Sequence, residues 1–396
     1  MATVKVTVIE DSWPTYLKNT VRILFKDLGV IMAETIEPTR FGVDDKDKKT
    51  PFVQDKLGPL LRYYYSYQDS VQNNAAVGYA EMVRLRIGNN GGFKDGLDVN
   101  ELRIEIINSE YKINERLRAH ADVAVKLFKD LKKIKLLTED GLVYENNESA
   151  RVCDWSVKEG KFVLMPAWYF DQVATNLTLD WASGYVDSST KATIRNNVEG
   201  RMNGGLRSFR ESQLANTLGV ATYFHTSDKK ILVVIRGLDL AIMSGVGKFH
   251  CSASGVFKWH NLPGGAKEAR FSSIMNGMRE EIWEELALKE YEYELIPLAF
   301  GRELARGGKP QFFFYAYCPN LTADEVIARA NNAIERKERI DKSEIEPDSP
   351  LFRWLDDPAS VPPLIEYIES CFTYEGWAGL KLLQTYLAEK GIAVLK

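Results

Sequence analysis

The stretch "GMREEIWEELAL", residues 277–288, carries four glutamates within six positions. Its apolar residues recur at helical spacing, so the stretch predicts a helix. Because a helix turns by about 100° per residue, Glu281 and Glu285 lie one above the other with Glu284 beside them. Carboxylates on one stripe repel one another, and hard cations such as Mg²⁺ prefer oxygen ligands. The pattern therefore indicates either a solvated acidic face or a metal site. The opposite, apolar stripe carries Ile274, Met278, Ile282 and Leu286.

Strands flank this glutamate helix on both sides in the sequence. The segment 218–237, "LGVATYFHTSDKKILVVIRG", predicts two strands joined by a hairpin turn at "SDKK". The segment 293–318, "YELIPLAFGRELARGGKPQFFFYAYC", predicts a second strand–turn–strand unit. The periodicity of "GWAGLKLLQTYLAEKG", residues 376–391, predicts a last helix that covers the other face of the sheet. Together these elements predict an α/β/α sandwich over residues 213–396.

The composition is that of a globular protein without an electrostatic footprint for nucleic acid. The 396 residues are 45% hydrophobic and 27% charged, with a formal net charge of −4, so nucleic acid is not an expected partner. No apolar run is long enough to span a bilayer, so no membrane partner is expected. The sequence start lacks a secretory signal, and the four cysteines form no C-x-x-C pair, which favours a cytoplasmic protein. The oligomeric state stays open, with a homodimer as the form considered.

The length of the chain and the change in residue pattern along it predict two domains joined by a connector. At 396 residues the chain exceeds the size of one ordinary core. We assign residues 1–160 to an N-terminal α+β domain of unknown role, residues 161–212 to a connector and residues 213–396 to the sandwich. The overall fold class is therefore α+β. The connector arginines are candidates for phosphate contacts or for ordinary surface residues: Arg195, Arg201, Arg207 and Arg210.

The second half of the glutamate helix resembles the signature of the Nudix hydrolase family. That signature reads G, five residues, E, seven residues, then R-E-U-x-E-E-x-G-U, where U is a bulky apolar residue. Glu281 matches the first glutamate of the closing part, and Glu284 and Glu285 match the pair. Upstream, "WHNLPGG" at 259–265 is similar to the W-x-x-P-G-G approach common in the family. The resemblance covers roughly residues 213–396, and it implies a Nudix-like sandwich there.

The resemblance implies metal-dependent hydrolysis of a diphosphate bond in a nucleoside diphosphate derivative. It implies Mg²⁺ or Mn²⁺ as cofactor, held by Glu281, Glu284 and Glu285, which would also be the catalytic carboxylates. The metal would lower the pKa of a bound water, and a carboxylate would accept its proton. Candidate substrate-binding residues are three cations for the phosphates and one ring for the base: Arg236, Arg306, Lys309 and Trp259.

Two departures from the signature keep a second function open. Glu280 stands where the family has arginine, with Arg279 one place earlier, and Ala287 stands where the family has glycine. An opposite charge normally orients the glutamates, so its loss would weaken the metal site. These changes favour a catalytically silent module that binds a nucleotide and acts as a sensor through the N-terminal domain. The retained E-x-x-E-E pattern favours the enzyme.

The loop before the helix departs from the signature as well. The spacing from Gly265 to Glu281 is one residue longer than the pattern, and Ser272 occupies the place of the upstream glutamate. The loop glycine therefore belongs either to the adjacent pair Gly264 and Gly265 or to "SASG", where it is Gly255. In the second case "HNLPGGAKEA" is an insertion. The sequence leaves both alternatives open.

Overall fold

The structure is a computed structural model that describes part of the chain. It describes residues 60, 63–64, 78–89, 91–130, 146–182, 193–236, 248–333 and 371–392, and the short strands at 39–40, 135–138, 141–144 and 352–355. The chain divides into two compact units, Met1–Glu34 and Thr35–Lys396, and the described residues belong to the second. Much of the predicted N-terminal domain before residue 78 therefore lies outside the described residues.

The described part of the chain contains both strands and helices. The strands are β1 (Thr39–Arg40), β2 (Tyr79–Ile87), β3 (Gly91–Gly92), β4 (Leu97–Asp98), β5 (Arg103–Ile106), β6 (Lys135–Thr138), β7 (Gly141–Tyr144), β8 (Glu148–Ser156), β9 (Lys161–Trp168), β10 (Trp181–Ala182), β11 (Gly219–His225), β12 (Ile231–Ile235), β13 (Phe249–His250), β14 (Ala253–Val256), β15 (Glu268–Ala269), β16 (Glu294–Glu303), β17 (Lys309–Tyr317) and β18 (Phe352–Leu355). The α-helices are α1 (Arg118–Asp130), α2 (Tyr169–Ala174), α3 (Phe271–Leu286), α4 (Ala323–Ala330) and α5 (Tyr374–Glu389).

The largest sheet contains ten strands and carries the candidate site. Its path runs β13-β12-β11-β17-β16-β2-β3, with β14 beside β11, β18 beside β12 and β4 beside β2. Both predicted hairpins are confirmed, because β11 is antiparallel to β12 and β16 is antiparallel to β17. Strands β11 and β17 are parallel neighbours. Strand β17 is buried on both faces, which explains its continuous run of apolar and aromatic residues.

Strands from both sides of the predicted domain boundaries pair with one another. Strand β2 is antiparallel to β16, and β5 is antiparallel to β15. A smaller sheet runs β15-β5-β9-β8 and so also mixes early and late segments. Both predicted boundaries, at residues 160 and 213, lie within the unit Thr35–Lys396. Periodicity within a segment does not reveal this pairing, because it reports which residues share a face and not which strand lies beside them.

Helices α3 and α5 cover opposite faces of the large sheet. In β17, Phe312 and Phe314 share a hydrophobic cluster with the apolar stripe of α3. The alternate residues Phe313 and Tyr315 share another cluster with α5, as the two-residue period of a strand requires. The predicted core stripe of α3 is confirmed as buried: Ile274, Met278, Ile282 and Leu286. The predicted α+β class is likewise confirmed.

Candidate functional site

The glutamates lie on the last two turns of α3, which ends at Leu286. The next residue, Ala287, has φ 54° and ψ 33°, and its N–H donates to the carbonyl of Trp283 at 3.0 Å. Helices commonly end on a residue in this left-handed conformation, which glycine adopts without strain. Ala287 carries a Cβ into that conformation, where an L-residue is strained. The glycine that the Nudix signature has at this position would adopt the same left-handed conformation without strain.

Glu281 faces strand β14, and the residue is only 4% exposed. A Cβ placed on Gly255 would overlap the carboxylate of Glu281 in its present position, so glycine permits this close approach. A Cβ on Gly264 or Gly265 would meet open space, and Gly265 has φ 70°. Of the candidate loop glycines, Gly255 is therefore the one against a glutamate of the helix, while Gly265 provides a turn.

The other three glutamates of the helix contact a backbone N–H or a lysine. The carboxylate of Glu285 accepts a hydrogen bond from the backbone N–H of Ser254 at 2.8 Å. The Nζ atom of Lys258 lies 2.6 Å from each carboxylate oxygen of Glu284. The same Nζ lies 3.2 Å from Oε1 of Glu280. One lysine therefore bridges two of the four glutamates.

Neighbouring charges and hydrogen bonds keep Glu280 and Lys258 ionised. Partial burial acts to raise the pKa of Glu280, but the Asn261 hydrogen bond and the charge of Lys258 outweigh it, and the pKa is lowered. Burial likewise acts to lower the pKa of Lys258, but the charge of Glu281 and contacts with the neighbouring carboxylates raise it above its ordinary value. The Asn261 amide donates to Oε2 of Glu280 at 2.5 Å. Both groups are therefore charged at neutral pH.

Arg279 does not replace the arginine of the signature. Its Nη1 donates to Asn276 at 2.8 Å, and its Nε lies 3.7 Å from Glu290. Lys258 instead supplies the positive charge beside the glutamates. Sequence reasoning missed this lysine because it lies 26 residues from Glu284, and no local pattern links a residue after a strand to one on a helix.

The glutamates fit a hard divalent cation only in part. The described residues contain no group of three or more His, Cys, Asp or Glu side chains arranged to hold a metal ion. Glu281 and Glu285 approach two consecutive residues of β14, and their oxygens are the donors that Mg²⁺ prefers. Both oxygens of Glu284, in contrast, contact Lys258. Of the three predicted ligands, Glu284 is engaged by a lysine, and metal binding by Glu281 and Glu285 stays a prediction.

The three predicted phosphate-binding cations come together in one cluster. Arg236 follows β12, Arg306 lies in the turn between β16 and β17, and Lys309 begins β17. The charges of all three act on one another. Burial lowers the pKa of Lys309, and the two arginines act in the same direction. We call these three residues the cation cluster; concentrated positive charge away from water suits an anionic ligand.

Glu375, in the first turn of α5, faces the cation cluster. Its side chain is 17% exposed, and its Oε1 lies 3.8 Å from Nε2 of His250. Burial raises the pKa of Glu375 to about 7, against the charges of the cation cluster, which lower it. A buried carboxyl that titrates near neutrality beside cations is typical of functional sites. The sequence "FTYEGW" around it indicates only the start of a helix, so this residue was not predicted.

Arg236 and His250 connect the cation cluster to the glutamate helix. The charges of Glu375 and Glu285 both act on Arg236, whose Nε is buried without a hydrogen-bond partner among the described residues. Nε2 of His250 lies 2.8 Å from the hydroxyl of Ser254, and Ser254 also donates its backbone N–H to Glu285. Burial, together with the neighbouring cations, holds the pKa of His250 well below its usual range. This histidine is therefore neutral.

A buried hydrogen-bond network holds the turn that carries Arg306. Arg195 donates to the backbone carbonyls of residues 304 and 305 at 2.9 and 2.7 Å. The same guanidinium contacts both oxygens of Asp180 at 2.6 and 2.8 Å, and Asn176 donates to the carbonyl of Arg306 at 2.8 Å. Arg195, considered above as a phosphate contact or a surface residue, is neither; it is a buried structural residue.

Trp259 directly follows Lys258 and begins the short 3₁₀ helix whose Asn261 contacts Glu280. It is partly buried against the core under α3 and lines a cavity of about 270 Å³. The remaining walls of this cavity are Ile106, Asn108, His260, Leu262, Pro263, Gly264 and Gly265. None of the predicted metal or phosphate ligands lines it. The stacking of a base on Trp259 stays a prediction, and the ring and the amide of Asn108 are groups suited to a flat heterocycle.

Comparison with known proteins yields no family assignment. No protein-family model matches the chain, and no curated protein matches it. Among solved structures, the chain is similar to DR0079 from Deinococcus radiodurans at 16% identity, over 29% of this chain and 73% of that chain, with a TM-score of 0.19. A similarity at this TM-score carries no argument about function. Within the described residues, every helix is too short or too polar to cross a membrane.

Proposed function

We propose that the chain hydrolyses a diphosphate bond in a nucleoside diphosphate-linked substrate, as a Nudix-type pyrophosphohydrolase with Mg²⁺ or Mn²⁺. The observation that carries this proposal is a chain of contacts between the cation cluster and the glutamate helix. His250 lies 3.8 Å from Glu375 and 2.8 Å from the hydroxyl of Ser254, whose backbone N–H donates to Glu285. The charges of Glu375 and Glu285 both act on Arg236 of the cation cluster. A diphosphate needs cationic donors on its oxygens, and its hydrolysis needs carboxylates close by. Both kinds of group meet at this end of the large sheet.

Each residue of the site has a distinct part in this proposal. Arg236 has a buried Nε that gains a hydrogen-bond acceptor when a phosphate oxygen arrives. Lys309 adds a compact charge that neutralises the substrate. Glu375, with a pKa of about 7, holds or releases a proton at working pH. Glu281 and Glu285 would hold the divalent ion, which supplies charge neutralisation and a bound water of lowered pKa.

The test is turnover of the full chain with Mg²⁺ and a panel of nucleoside diphosphate derivatives that includes ADP-ribose. Chromatography should detect a nucleoside monophosphate as product. Glu285→Gln should lower turnover by about 100-fold or more, because metal-assisted catalysis contributes several kcal/mol. Glu290→Gln is the matched control, since that side chain is 72% exposed and lies outside the site. Undiminished turnover in Glu285→Gln would contradict the assignment.

A second candidate function is a catalytically silent module that binds a nucleotide. The contact of Lys258 with both oxygens of Glu284 favours it, because it removes a carboxylate from the predicted metal site. Thermal denaturation with ADP-ribose, with and without Mg²⁺, separates the two functions. A raised Tm without product formation supports the silent module, whereas product formation excludes it.

A further inference from the structure

Lys258 occupies the position expected of a cation bound to the glutamate helix. An ammonium group has three N–H donors and no acceptor. The Nζ atom of Lys258 contacts the two oxygens of Glu284 at 2.6 Å and Oε1 of Glu280 at 3.2 Å. All three donors therefore meet carboxylate oxygens. The charge of Glu281 acts on the same group.

The surroundings make this arrangement more than a surface ion pair. The side chains of Lys258, Glu280 and Glu284 are 17%, 24% and 22% exposed, so water screens their charges less than at an open surface. Oε2 of Glu280 is held from the other side by the amide of Asn261 at 2.5 Å. Lys258 itself lies between β14 and the short 3₁₀ helix Trp259–Asn261. Its Nζ thus reaches the glutamates of α3 from the segment that follows β14.

We infer that Lys258 is a tethered counter-ion, which withdraws Glu280 and Glu284 from divalent-metal binding. Its charge offsets the repulsion among the glutamates, so α3 is stable without metal. One divalent ion then remains to be bound, through Glu281 and Glu285, and this part of the inference rests on the proposed function. The protein therefore supplies one cation for these glutamates from its own chain, as the side chain of Lys258.

The test is a titration of the full chain with Mn²⁺, followed by electron paramagnetic resonance, together with the metal-free Tm. Lys258→Met should bind Mn²⁺ at least about 10-fold more tightly than the wild type or take up an additional ion, because Glu284 is released. Its metal-free Tm should fall, and saturating Mn²⁺ should restore it. Lys258→Arg keeps the positive charge and should remain near the wild type. Unchanged Mn²⁺ affinity and stoichiometry in Lys258→Met would overturn the inference.

A second variant keeps the test decisive if Lys258→Met fails to fold. In the wild-type background, Glu284→Gln should leave Mn²⁺ affinity unchanged within about threefold, because Glu284 is not a ligand. A tenfold loss would show that Glu284 holds the metal and that Lys258 moves aside. Absence of turnover with these Mn²⁺ results as expected would contradict the hydrolase proposal and leave the role of Lys258 intact, so the two failures are distinguishable.

Discussion

The acidic and basic halves of the site are held in place by different physical means. On the acidic half, Lys258 contacts Glu280 and Glu284 through side chains that are all partly exposed. On the basic half, the turn that carries Arg306 is held by Arg195 and Asp180, whose side chains are 0% and 1% exposed. Removing one partner of a partly exposed ion pair costs less stability than leaving one partner alone in the interior, which is strongly destabilising. The acidic half is therefore held by partly exposed charges that Lys258 neutralises, while the basic half is preorganised by fully buried contacts.

The largest loss of stability is expected from a substitution that disrupts the basic half. Arg195→Met leaves the carboxylate of Asp180 buried without its partner and removes two backbone hydrogen bonds from the turn at 304–305. We expect the free energy of unfolding to fall by about 3–5 kcal/mol, measured by urea denaturation. Arg118→Met is the control, because its ion pair with Glu115 is exposed. A shift no larger than that of the control would mean that the turn is held by other contacts.

An effect of intermediate size concerns the pH dependence of the free energy of unfolding. Its sign should be opposite for Glu375 in the basic half and Glu280 in the acidic half. Because burial raises the pKa of Glu375 from 4.5 to about 7, its contribution to stability is fully present below about pH 4.5 and is lost as the pH rises through 7. The loss is roughly 3 kcal/mol, and Glu375→Gln should abolish it. The pKa of Glu280 is lowered, so its contribution is lost as the pH falls. Urea denaturation of wild type and Glu375→Gln between pH 4 and pH 8 tests the sign for Glu375, and equal slopes in the two proteins would refute it.

The smallest effect lies at the end of the glutamate helix. Ala287 is in the left-handed conformation with φ 54°, so Ala287→Gly relieves steric strain and should raise the free energy of unfolding by about 1 kcal/mol. Ala287→Val should lower it, because a β-branched residue tolerates positive φ poorly. Thermal and urea denaturation of the two variants provide the measurement. If both variants match the wild type, the left-handed turn does not end α3 in solution.

Local patterns predicted the elements of the site better than their contacts. The helix over residues 277–288 and both hairpins follow from periodicity and turn residues, which act between neighbours in sequence. Arg236, Arg306 and Lys309 were singled out separately, and the structure brings them together. The same reasoning placed Glu284 in a metal site but missed the lysine that contacts it. Periodicity identifies the face on which a side chain lies and leaves its partner undetermined.

The predicted domain boundary illustrates the same limit on a larger scale. A change in residue pattern near residue 213 suggested an independent sandwich. In the structure, β2 from the earlier part of the chain pairs with β16 in the same sheet. From the sequence, Arg195 was assigned to a polar connector. In the structure it is among the most deeply buried side chains described. Both outcomes depend on pairings across more than a hundred residues, and such pairings leave no periodic trace in the sequence.

The sequence by itself determined the α+β class, the apolar stripe of α3 and the spacing of the glutamates along that helix. These features depend on helix and strand periods, which are properties of the backbone. Only the tertiary structure decided that Lys258 pairs with Glu284, that Glu375 faces the cation cluster and that Gly255 admits Glu281. Each of these contacts depends on burial and on charge at short distance, and both arise only when segments distant in the chain are packed together.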